Sequence, residues 1–205
     1  MSVFAISIPN AYLGAVFSTI SEDDDTIEEN ESRTELDLHA NMPVVGSDNV
    51  VLVETGKFVD VSAYSPEYPV KQVLVIDAAI QYDDPYDGSS RFLLIKNSLQ
   101  VPSMKNNLLP QFLMQEAGLV VNDTPKIHVV DPGVDDHSIY FPELKYRIPL
   151  SLSGIFSYFL SSKPTLSDLN NAEEEFLLVL TPDQWNPHDS TFSFNEASML
   201  DWKTS

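Results

Sequence analysis

The segment Thr34-Glu-Leu-Asp-Leu-His-Ala-Asn-Met-Pro-Val-Val-Gly46 carries a single aspartate, Asp37, between two apolar runs. The approach reads as a strand with Asp37 at its end, and the small Ala40 stands three positions on. A carboxylate placed there has two uses. It can form the turn by accepting backbone N–H groups just downstream. Alternatively it can face a second carboxylate, so that the pair shares a proton and activates a water molecule. The second use needs a rigid turn. A hydroxyl residue directly after the acid would help to hold it, but Leu38 and His39 follow instead. A rival acid, Asp77 in Val75-Ile76-Asp77-Ala78-Ala79, falls inside a long strand rather than at its end.

The surrounding residues set the elements that must position Asp37. From Leu36 to about Pro102 the signals are β. Strands are expected at 49–55, 57–64, 70–83 (bent at Ala78-Ala79) and 91–102, joined by a two-proline tip at 65–69 and a turn cluster at 83–90. The period then changes. Leu109, Phe112, Leu113 and Glu116-Ala117 fall at helical spacing, Pro110 is tolerable in a first turn, and Gly118 sits where a helix ends. Further short strands are expected at 119–121, 125–131, 136–143, 146–152 and 155–161, then a helix over 165–180 capped by Thr165 or Ser167. The tail, rich in Pro and Asn, reads as extended with two exposed tryptophans, Trp185 and Trp202.

Composition removes several classes. The 205 residues carry 31 acids against 11 bases, a formal charge of −20. Phosphate binding needs a basic footprint, so no direct nucleic-acid contact is expected, nor an anionic membrane surface. With no cysteine there are no disulfides, thiolate metal sites or cysteine nucleophiles. The first 20 residues lack a basic n-region, and a cytoplasmic chain is expected. The acid-rich run at 21–33 reads as solvated linker, without the turn glycine of a calcium loop. His128, Asp131, Asp135, Asp136 and His137 are metal-ligand types, but Pro132-Gly133 make a turn and acids crowd turns, so no metal and no cofactor are expected. Tyr64, Tyr68, Tyr82 and Tyr86 suit hairpin packing or, alternatively, peptide contacts.

Two distant segments together resemble a known family. "ELDLHANMPVVG" is similar to the "ELDSHA" active-site variant of microalgal copia-like elements. "NLLPQFLMQEAGLVVN" resembles the retropepsin segment that packs behind the active-site loop, and "LLIKNSLQVPSMKNNLLPQFLMQEAG" is similar to the end of the protease in copia-type retrotransposon polyproteins. Later strings, "VNDTPKIH", "IPLSLSGIFSYF", "KPTLSDL" and "WNPH…NE…MLDW", are similar to those polyproteins downstream of the protease, so the resemblance spans roughly 34–202.

The resemblance implies a mainly β fold: an acidic segment at 1–33, a retropepsin-like acid-protease β-barrel with one short helix at 34–122, a small β-rich extension at 123–180, and an extended tail at 181–205. It implies an aspartic endopeptidase acting on polypeptide, in which a homodimer supplies two Asp37 carboxylates. Leu38, His39 and Ala40 would form the active-site loop, with Asn107, Leu108, Leu109 and Pro110 backing it.

The departures bear on activity. Leu38 stands where the family has Ser or Thr, and leucine has no donor. A lost buried hydrogen bond costs about 1–3 kcal/mol for each group left unsatisfied. Pro110 replaces a small residue and removes an N–H. The flap-like stretch 62–70 has no glycine. Impaired catalysis is therefore expected. The alternatives are a non-catalytic β scaffold or peptide-binding remnant, or an unselected remnant of the element.

Overall fold

The computed structural model describes residues 7–8, 32–63, 70–186 and 190–191, with backbone only at 7–8 and 62–63. The acidic run before residue 32, the hairpin tip with Tyr64 and Tyr68, and Trp202 lie outside the described residues.

The chain is mainly β. Its backbone is a meander of three long strands, β4 (Val50–Ala63), β5 (Lys71–Asp83) and β6 (Ser90–Gln100), each antiparallel to the next. The two runs read as separate strands at 49–55 and 57–64 are one strand. Gly56 (φ +70°) does not end it, because a register shift between Glu54 and Phe58 absorbs the irregularity. The bend expected at Ala78-Ala79 corresponds to a register shift between Ile76 and Ala78. Asp77, the rival acid, sits at that shift and accepts the N–H of Asn97 (2.9 Å), whose φ is +53°. It secures a bulge.

Beyond β6 the sheet continues through short strands: β3 (Val44–Val45), β7 (Asn107–Leu109), β2 (Ser32–Leu36), β12 (Phe156–Ser161) and β11 (Ser151–Ser153). At the other end, β1 (Ser7–Ile8) pairs in parallel with β4. The order β1-β4-β5-β6-β3-β7-β2-β12-β11 has two free ends among the described residues, so the expected barrel is a rolled sheet and not a closed one. Among the described residues one isolated bridge joins its turns: Gln81 and Ser162 exchange both hydrogen bonds, at 2.8 and 2.9 Å. Neighbouring strands twist by roughly 20–25°, and here the accumulated curl brings the end of β12 onto β5 without aligning a further ladder.

The sequence pattern changes at residue 122, but the core runs across it. Three strands, β8 (Val120–Asn122), β9 (Ser138–Phe141) and β10 (Tyr146–Pro149), form a second, small antiparallel sheet. Ile139, Phe141, Ile148, Phe159 and Leu178 share one apolar cluster with Ile76, Ile80, Leu93, Ile95 and Leu109. Arg91 is stacked between Tyr146 (4.6 Å) and Phe176 (4.4 Å), tying the late segments to β6.

Three sequence expectations for this region fail locally, the first being the strand expected over 146–152, which breaks at Leu150 into β10 and β11 in different sheets. Residues 125–131 form a 3-10 turn at Lys126–His128, with Val130 96% exposed, rather than a strand, because Pro125 withholds an N–H and no edge among the described residues pairs with them. The helix expected over 165–180 stops at α2 (Leu166–Asn171), capped by Thr165 as read. A 3-10 turn follows, and Leu177–Val179 become β13, parallel to β6. The apolar triplet Leu-Leu-Val gains more from that open edge than from a helix face with nothing to cover it.

Candidate functional site

Asp37 lies just past β2, and β2 runs parallel to β7 with Thr34 opposite Asn107, Glu35 opposite Leu108 and Leu36 opposite Leu109. The pairing continues one step, since the Asp37 N–H donates to the Leu109 carbonyl at 2.9 Å. Pro110 caps α1 (Gln111–Glu116), which follows β7 directly. Leu109, expected on the helix, instead ends the strand, and the helix starts only after the proline fixes φ at −65°. Gly118 ends the helical segment in the left-handed region at φ +84°. Two segments some 70 positions apart are thus joined at one turn, with Leu108 and Leu109 buried behind it.

The loop itself is an Asp turn. Asp37 is buried, and its Oδ1 accepts the His39 N–H at 2.8 Å. Leu38 points outward, 67% exposed, and His39 is exposed too. An exposed side chain at position 38 leaves no buried polar group there without a partner. Asp37, Leu38 and Ala40 line a pocket of about 270 Å³ with Pro110, Gln111, Phe112 and Gln115. That is below the roughly 300–1,000 Å³ of ordinary ligand sites.

Behind the loop runs a buried polar chain that the sequence reading identified only at Asn107. Asn107 is fully buried. Its Oδ1 accepts the Gly46 N–H (2.9 Å) and its Nδ2 donates to Thr34 Oγ1 (3.1 Å). Thr34 Oγ1 in turn meets Ser161 Oγ at 2.8 Å on β12. Gly46 is required by space: a Cβ there would lie 2.5–2.8 Å from three backbone carbonyl oxygens of residues 104–106. This chain locks β2, β7 and the apolar run after Asp37 into one unit.

Glu35 was not singled out by the sequence reading, although strand periodicity puts it on the same face as Asp37. It is buried. Oε1 accepts from Asn106 Nδ2 (3.2 Å), while Oε2 has no partner among the described residues. Burial pushes its pKa up. Arg33 and the Asn106 hydrogen bond pull it down, and Asp37 pushes it up again. A carboxyl held above its unfolded value stabilises the fold below that value, 4.5, and loses the contribution as pH rises through the folded value. Glu35→Gln is therefore expected to raise the melting temperature at pH 7 and to lose that advantage as pH falls to 4. A lower melting temperature at pH 7 would contradict this account of Glu35.

Of the metal-ligand types at 128–137, Asp135, Asp136 and His137 are separately engaged, and His128 and Asp131 are exposed. Asp135 pairs with Arg147 (2.6 Å), Asp136 Oδ2 accepts the Gly133 N–H (2.8 Å), and the buried His137 ring meets Ser157 Oγ at 2.9 Å, with burial pushing its pKa down. Among the described residues no three His, Asp or Glu converge on one point. Of the tyrosines, Tyr82 is core and Tyr86 is exposed. No helix among the described residues is long and apolar enough to cross a membrane.

No protein-family model, curated protein or solved structure matches this chain.

Proposed function

We propose that the Asp37 turn is one half of an aspartic endopeptidase site of the retropepsin kind, that a second copy of the chain supplies the other half, and that the chain comes from the protease region of a copia-type retroelement polyprotein. The observation that carries this reading is the joining of Asp37 to the Leu108-Leu109 strand and α1, through the parallel β2–β7 pair. A turn-forming aspartate alone needs no such backing. Two such turns facing each other across a two-fold axis would bring their carboxylates together to share a proton and activate water. Leu38 impairs the site, because it lies on the surface that would meet the opposed turn and offers no hydrogen bond there.

A second reading is a non-catalytic peptide-binding scaffold, favoured by the exposed leucine at position 38 and by the Asp37 carboxylate being used within its own turn. A cleavage assay on an unstructured polypeptide at acidic and neutral pH separates the two. The endopeptidase reading expects little activity in the wild type, more in Leu38→Ser, and none in Asp37→Asn. Cleavage that persists in Asp37→Asn would end it.

A further inference from the structure

We propose that the apolar surface shared by the β4–β5 hairpin and the Asp37 loop is a peptide-binding groove, and that residues 182–186 of the same chain occupy it as a tethered ligand anchored by Trp185. This rests on the peptide-site reading above and names the class of ligand: an extended segment with an acid two residues before an aromatic side chain.

The floor beneath Trp185 is one buried apolar cluster built from both sides. Val59 and Val75 come from the hairpin, and Met42, Val44 and Leu108 come from the loop and its backing strand. Trp185 packs against that cluster, and its Nε1 donates to the Asn41 carbonyl at 2.6 Å, one residue past Ala40. Its ring lies 5.8 Å from that of Phe112, a wall of the Asp37 pocket. The segment reaches this place along a defined path. Leu180 and Thr181 are fully buried, with Thr181 Oγ1 bonded to both the N–H (2.7 Å) and the carbonyl (3.0 Å) of Lys96. Asn97 Nδ2 then donates to the carbonyls of Pro182 (3.2 Å) and Asp183 (3.0 Å), and Lys96 pairs with the Asp183 carboxylate. Main-chain carbonyls, one charge and one aromatic anchor are recognised in order, which is how a groove reads an extended peptide.

Three residues separate the core-anchored Thr181 from Trp185, so the anchor is held near its groove at an effective concentration on the order of mM. A free peptide of the same sequence competes poorly until the anchor is removed. The test titrates a fluorescent peptide of residues 181–186, Thr-Pro-Asp-Gln-Trp-Asn, into the full chain and into Trp185→Ala. Binding at least tenfold tighter to Trp185→Ala is expected, and it should be abolished when alanine replaces tryptophan in the peptide. Equal affinity for both chains, or binding that ignores the peptide tryptophan, overturns the proposal. If Trp185→Ala does not fold, the exposed Asp183→Ala chain takes its place. It is expected to bind the unaltered peptide at least twofold tighter, and an unchanged affinity overturns the proposal. A wild type that sediments as a dimer and a Trp185→Ala chain that sediments as a monomer would put the segment on a neighbouring copy and overturn the tethered form. Binding is read without cleavage. A peptide that binds and is never cut, even by the Leu38→Ser chain, leaves the groove standing and removes the endopeptidase, whereas cleavage by Leu38→Ser without peptide competition does the reverse.

Discussion

Phe159→Ala is expected to cost about 3–5 kcal/mol of stability, the range for an aromatic deleted from a packed core. The ring is 2% exposed and meets Tyr82 edge-on at 5.9 Å. Phe159 lies on β12, well beyond residue 122, and Tyr82 lies on β5, well before it. The loss would be a large part of the roughly 5–15 kcal/mol that holds an ordinary domain together. Urea unfolding checks it: the midpoint should fall with the slope unchanged and with a single transition. Two separable transitions, only the weaker of them shifted, would mean that residues 123–180 fold apart from 34–122 and that the shared core is wrong.

Asn107→Ala is the second large effect, expected at about 2–4 kcal/mol. The side chain spans two buried partners, the Gly46 N–H and Thr34 Oγ1. Alanine leaves the first with nothing to accept its hydrogen, at about 1–3 kcal/mol for a buried donor without a partner. Thr34 keeps Ser161, so its loss is the smaller. The substitution should also loosen the Asp37 turn before the sheet unfolds, seen as faster hydrogen exchange at the Asp37 and Gly46 amides than at β5. Uniform acceleration across the sheet would show that Asn107 supports the fold in general and not this turn.

Much of the site was legible because its parts are local. The strand-end Asp37, the capping Pro110 and the terminal Gly118 are each announced by residue type, and the aliphatic pair 108–109 by its neighbours. What the sequence hid is pairing between distant segments. Leu177–Val179 carry an apolar triplet that fits helix or strand equally well, and only the open edge of β6 decides it. The 125–131 run has strand composition but no edge to join. Trp185 looked exposed because nothing in its own segment is apolar, while its contacts come from residues 41–112. Glu35 could have been found by stepping back two positions from Asp37 along the strand. Sheet closure depends on accumulated twist, which no short window contains.

Under the proposed function, Asp37 is half of a catalytic pair silenced by Leu38. The most direct measurement is the cleavage rate of the Leu38→Ser chain, with and without Asp37→Asn, on one unstructured polypeptide between pH 4 and 7. The account predicts a rate above wild type for Leu38→Ser and a fall of at least about 10²–10⁴-fold when Asp37 is replaced. Equal rates with and without the Asp37 carboxylate, or no rate above wild type for Leu38→Ser, would contradict it.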